Sequence, residues 1–112
     1  MIVRLCHRDA LPAEGEIAAF RNGAMDLCVA TWQGRTYAVD NQCPHQGAPL
    51  AAGCVRDGQI VCPYHNWRFR LEDGQPEVAG DPRLQVYELR VYGDEAFVRL
   101  PNLCTKQQRA SG

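Results

Sequence analysis

The sequence predicts an all-β fold, an antiparallel sandwich or barrel with a loop-rich subdomain set into it. Three observations lead there. Apolar runs are short and rich in β-branched and aromatic residues, turn signals separate them at intervals of roughly 8–12 residues, and no window sustains a helical period. Helix is therefore expected as a turn or two at most.

Taken in order, Ile2 to Leu5 reads as a brief apolar edge, and Leu11 to Glu16 as a turn-rich connection. Ile17 to Phe20 leads into Arg21-Asn22-Gly23, an Asn-Gly turn signal. Met25 to Trp32 and Thr36 to Val39 form two strands joined through Gln33-Gly34-Arg35. Over residues 40–80 the character changes, with glycine and proline recurring from Pro44 to Gly80. Within that stretch Cys54-Val55-Arg56 and Gln59-Ile60-Val61 flank Asp57-Gly58, a two-residue hairpin signal. Trp67 to Leu71 reads as a further strand. Leu84 to Val91 and Ala96 to Leu100 form the last pair, turning at Tyr92 to Glu95. The polar tail, 101–112, is expected to fray.

The totals bound the function. At 112 residues the chain is expected to be one domain, 1–112, with a cofactor-binding subdomain at about 41–80. Twelve basic against thirteen acidic residues give a net charge of −1, so neither nucleic acid nor an anionic membrane is expected as a partner. Mean hydropathy is −0.35 and no run suits a membrane helix. The first ten residues lack the apolar core of a secretory signal, which predicts a cytoplasmic location.

The chemistry concentrates between Cys43 and His65. Cys43-Pro44-His45 and Cys62-Pro63-Tyr64-His65 each place a thiol and an imidazole on one short loop, with sixteen residues between His45 and Cys62. Proline directly after each cysteine favours a bent backbone, and Gly47 permits a positive φ beside the first pair. Three readings fit the four side chains. They could be unrelated core and surface residues, yet two of only three histidines fall at similar offsets from two Cys-Pro pairs. A structural Cys2His2 zinc site is chemically sound, but zinc fingers group cysteine with cysteine and histidine with histidine, whereas here they interleave. The third is a [2Fe–2S] centre in which two histidines replace two cysteines on one iron. Cys54, at the start of a hairpin strand, is read as structural and not as a fifth ligand. Cys6, Cys28 and Cys104 are read as buried or incidental thiols, and His7 as a surface residue.

C-x-H, sixteen residues, then C-x-x-H, with Gly47-Ala48-Pro49-Leu50 and Asp73-Gly74 around it, resembles the signature of the Rieske family. The resemblance is close over about 40 central residues and looser in the flanks. It implies a Rieske-type [2Fe–2S] cofactor with Cys43 and Cys62 on the inner iron and His45 and His65 on the outer one. It also implies an antiparallel Rieske-like β-sandwich or barrel carrying that cluster at the tip of two loops.

Departures from the high-potential members shape the functional reading. Where those carry a disulfide between the two loops, this chain has Ala48 and Tyr64. Where they place a serine and a tyrosine donating to sulfur, it has Trp67 and Phe69. Fewer donors predict a lower potential. Tyr64 and Trp67 are read as shielding aromatics. Arg68 and Arg70, alternating with Trp67 and Phe69, are read as a solvated face, the alternative being a docking point for an acidic partner.

With no nucleotide loop, second redox site or catalytic dyad in the sequence, the expected role is non-enzymatic: a small soluble ferredoxin. It would take single electrons from an NAD(P)H-dependent flavoprotein reductase and pass them to a terminal oxygenase acting on aromatic rings or hydrocarbons. A second expectation is a fixed role, since Cys62 to Gly74 also resembles the Rieske-like small subunit of assimilatory nitrite reductases. A third, of another class, is a zinc-stabilised interaction module.

Overall fold

The computed structural model describes residues 1–22, 25–44, 47–64 and 66–100. Nine strands are described: β1 (Ile2–His7), β2 (Ile17–Asn22), β3 (Met25–Trp32), β4 (Arg35–Asp40), β5 (Cys54–Arg56), β6 (Gln59–Val61), β7 (Arg68–Arg70), β8 (Val86–Tyr92) and β9 (Glu95–Arg99). Two 3-10 turns, Arg8–Ala10 and Leu50–Ala52, are the helical elements among the described residues. The all-β expectation holds.

Six strands form one sheet in the order β1-β9-β8-β4-β3-β2, and β5-β6-β7 form a second sheet inserted between β4 and β8. Every pairing within the two sheets is antiparallel. Tight turns account for the registers. Gln33 (φ 54) and Gly34 (φ 79) turn β3 into β4, so Arg35 belongs to the strand and pairs with Trp32. Asp57 (φ 52) and Gly58 (φ 76) turn β5 into β6 in the same left-handed pair of conformations, as the Asp-Gly dipeptide predicts. Asn22 is still strand and pairs with Met25; Gly23, the second half of the expected Asn-Gly turn, lies outside the described residues. The tail from Pro101, with Cys104, also lies outside them.

The strand β3 is the hinge of the packing. Leu27 and Val29 point to one side with Ala38 and Val98, against Val3, Leu5 and Leu89. Cys28 and Ala30 point to the other, with Val39, Leu50, Ile60, Phe69, Leu71 and Leu84. A strand covered on both faces must be apolar at consecutive positions, which is why Leu27-Cys28-Val29-Ala30 does not alternate. Its second face is what carries the small sheet. The β5–β6 turn settles near Trp32, whose indole Nε1 would lie 3.4 Å from a Cβ placed on Gly58.

Candidate metal centre

The two Cys-Pro loops close in the same way. The Cys43 N–H donates to the Ala48 carbonyl at 2.9 Å, and the Cys62 N–H donates to the Trp67 carbonyl at 2.7 Å. Each bond spans five residues and pinches the neck of one ligand loop. The first loop gains a second bond from the Gly47 N–H to the Cys43 carbonyl at 2.6 Å, with Gly47 at φ 72 as its position requires. In the second, Asn66 takes the left-handed conformation at φ 55, which asparagine tolerates better than most side chains.

Cys43 and Cys62 are both buried, and their thiols are near enough for Cys43 to perturb the ionisation of Cys62. The Tyr64 N–H points at the Cys62 Sγ at 3.5 Å. Burial pushes the Cys62 thiol up, the Tyr64 N–H opposes that, and the neighbouring Cys43 adds to it. Two buried thiols side by side resist ionising unless a cation compensates, and the thiolate is the form that ligates metal. Sulfur donors converging in a closed, apolar cradle thus fit an iron–sulfur group. His45 and His65, the other two expected ligands, lie outside the described residues; in sequence, one falls within each pinched loop.

Cys54 stands apart. Its side chain is exposed, and among the described residues no group of three or more Cys, His, Asp or Glu is placed to hold a metal ion. Cys28 is sealed in the core, where burial, with a smaller push from Asp26, drives its thiol up to about 12. Cys6 is buried on β1. His7 is on the surface but has a partner, its Nδ1 accepting from the Asp9 N–H at 3.1 Å. Trp67 is half-buried against the cradle, whereas Tyr64 is 55 % exposed and shields little. Phe69 is fully buried, so its place near the second loop offers no donor to sulfur.

Two supports escaped the motif reading. Asn41, buried two residues before Cys43, donates from Nδ2 to Asp26 Oδ1 at 3.1 Å and accepts the Ala51 N–H on Oδ1 at 2.9 Å. Its backbone is bound as well, the Leu50 N–H donating to the Asn41 carbonyl at 2.7 Å. Those bonds clamp the whole first loop to the start of β3. Gly53 is the other. A Cβ there would fall 1.9 Å from the Val61 carbonyl oxygen, so the end of the first loop touches the residue preceding Cys62. A polar residue closing an apolar strand hinted at Asn41; nothing local distinguishes Gly53 from its neighbouring glycines.

The model of the Rieske [2Fe-2S] domain matches residues 1–92. The chain belongs to the Rieske [2Fe–2S] domain family. Its cofactor is accordingly a Rieske-type [2Fe–2S] cluster, which sets aside the zinc reading. Among relatives, the ferredoxin component of the alkene monooxygenase system of Xanthobacter autotrophicus is 33% identical over 86 residues, 76% of this chain and 70% of that one. The ferredoxin of Sphingomonas yanoikuyae B1 shares the fold, with a TM-score of 0.79 at 24% identity over 90% of this chain and 100% of that chain. A complex of reduced oxygenase and oxidised ferredoxin in carbazole 1,9a-dioxygenase contains a chain that matches at a TM-score of 0.76 and 28% identity, over 87% of this chain and 100% of that one. The chain spans only 10% of the cholesterol 7-desaturase of Xenopus laevis, which it also matches.

Proposed function

We propose that this Rieske protein is a single-domain, low-potential ferredoxin, residues 1–112, serving an oxygenase system. Cys43 and Cys62 would hold one iron of the cluster and His45 and His65 the other. When bound, the cluster supplies reversible one-electron exchange. The observation that carries the reading is the pair of loops, each pinched by a bond across five residues, that bury the Cys43 and Cys62 thiols near one another. It is supported by near-complete coverage of free-standing ferredoxins, as against a small fraction of a larger oxidising enzyme.

The chain's own residues would position the cluster and set its potential. Asn41 and Gly53 fix the distance between the loops, and Leu50, Phe69 and Leu71 exclude water beneath them. With Phe69 and Trp67 in place of hydroxyl donors, the reduced state is less stabilised. Electrons would arrive from an NAD(P)H-dependent flavoprotein reductase and leave to a terminal oxygenase in the cytoplasm, with no bond chemistry on this protein. Among the described residues no helix is long and apolar enough to cross a membrane.

Protein-film voltammetry of the cluster-loaded chain tests this. The midpoint is expected toward the lower end of the roughly −150 to +300 mV span of Rieske centres. A value above about +100 mV on that scale contradicts the low-potential assignment. Copurification in fixed stoichiometry with a sirohaem enzyme would replace the carrier by a subunit.

A further inference from the structure

A small notch opens beside the second ligand loop, about 220 Å³ in volume, lined by Asn66, Trp67, Arg68, Glu77, Val78 and Asp81. Its position is fixed by the Glu77 N–H, which donates to the Arg68 carbonyl at 2.9 Å and ties the 76–81 loop to β7. Asn66 and Trp67 directly follow His65, so the notch borders the loop assigned to the outer iron.

Two features mark this notch. Val78 is 59 % exposed at its mouth, and Trp67 forms an apolar wall. Glu77, Asp81 and Arg68 form no side-chain ion pair or hydrogen bond with any described residue, although they line one cavity. Several other surface charges are paired: Arg4 binds Glu95, Arg21 binds Asp26, Arg90 and Arg99 bind Glu88, and Arg70 is held by Glu72 and Asp73. Arg70 is thereby occupied, which leaves Arg68 as the open half of the expected arginine face.

We propose that this notch is a docking point for the redox partner, receiving a lysine or arginine side chain from the partner's contact surface. The alkyl stem would lie along Val78 and Trp67, and the cationic head would reach Glu77 and Asp81, as amphipathic basic side chains do at apolar-lined acidic sites. Two carboxylates against one guanidinium leave the notch with an excess negative charge, so a basic occupant is favoured over an acidic one. This rests on the carrier reading and specifies the chemistry of its partner.

The test uses the full chain with its cluster, reduced anaerobically, and two one-electron acceptors: cytochrome c, a basic protein, and the ferricyanide anion. Glu77→Gln/Asp81→Asn is expected to lower the second-order rate with cytochrome c about fivefold at low ionic strength and to flatten its salt dependence. The ferricyanide rate is not lowered. Asp9→Asn/Glu16→Gln removes the same charge from the exposed surface near β1 and β2 and is expected to leave the cytochrome c rate unchanged. Arg68→Gln is expected to raise it, a change of sign that impaired folding does not mimic. Equal slowing by both double variants, or no slowing by the notch variant, overturns the proposal and leaves the carrier reading intact. A wild-type protein that reduces neither acceptor overturns the carrier reading, and the notch with it.

Discussion

The six-stranded sheet and the three-stranded sheet solve the same problem by different means. In the large sheet, strands of five to eight residues form long ladders over a core of Leu27, Val29, Ala38 and Val98. Its stability is spread over many equivalent contacts. The small sheet has strands of three residues, and an isolated sheet that short cannot sustain itself in water. Ile60 and Phe69 pack it on the second face of β3, and individual contacts fix its position: the pinched loop necks, the Asn41 clamp and two glycines pressed against carbonyl oxygens, Gly53 on Val61 and Gly74 on Leu84. The site therefore sits on the part of the molecule with least redundancy.

The sharpest way to break this contrast is to add one methyl group to each region. Gly53→Ala drives a Cβ to 1.9 Å from a backbone oxygen that cannot swing aside, whereas Gly34 in the β3–β4 turn has open space around it. Gly53→Ala should cost about 3 kcal/mol and release iron. Gly34→Ala should cost about 1 kcal/mol, from its positive φ alone, and keep iron. Chemical denaturation and the iron-to-protein ratio read both; equal iron retention in the two variants would dissolve the distinction.

Asn41→Ala should be milder. It leaves the partly buried Ala51 N–H without a partner and takes one donor from Asp26, a loss of about 2 kcal/mol. Iron should leave faster to a chelator, since the first loop is freed from β3 while the small sheet stays paired. Unchanged chelation kinetics would show that Asn41 supports the large sheet only.

The smallest effect belongs to the large sheet's surface. The hydrogen bond from Arg4, helped by the charges of Arg4 and His7, holds the exposed Glu95 carboxyl below the usual range. A depressed carboxylate contributes stability above its unfolded pKa and loses it as pH falls through the folded value. Glu95→Gln should thus lower the melting temperature slightly near neutrality, and the gap to the wild type should close in acid. Open to solvent on one side, the pair should also weaken in salt.

These differences explain what was legible in the sequence. Short β-branched and aromatic runs and turn signals announced the strands, and Asp57-Gly58 announced the hairpin that separates the two loops. The ligand motif was plain because metal chemistry demands particular residue types at close spacing. The strands differed at their ends: Arg21, Asn22, Arg35, Tyr92 and Glu95 moved from turn into strand, Trp67 and Leu71 fell outside β7, and Leu84 fell outside β8 as a buried loop residue whose N–H donates to the Gly74 carbonyl. Asn41 and Gly53 stayed hidden because each acts through a partner distant in sequence. Tyr64, expected to shield sulfur, is turned outward, since its backbone N–H and not its ring serves Cys62.

Pulsed EPR of the dithionite-reduced protein tests the central claim most directly, that two pinched loops hold one cluster through Cys43, His45, Cys62 and His65. The account predicts a rhombic signal coupled to two imidazole nitrogens, retained in Cys54→Ser and reduced to one coupling in His65→Cys if the cluster survives, or lost with it. Loss of the signal in Cys54→Ser, or two nitrogen couplings persisting in His65→Cys, would contradict it.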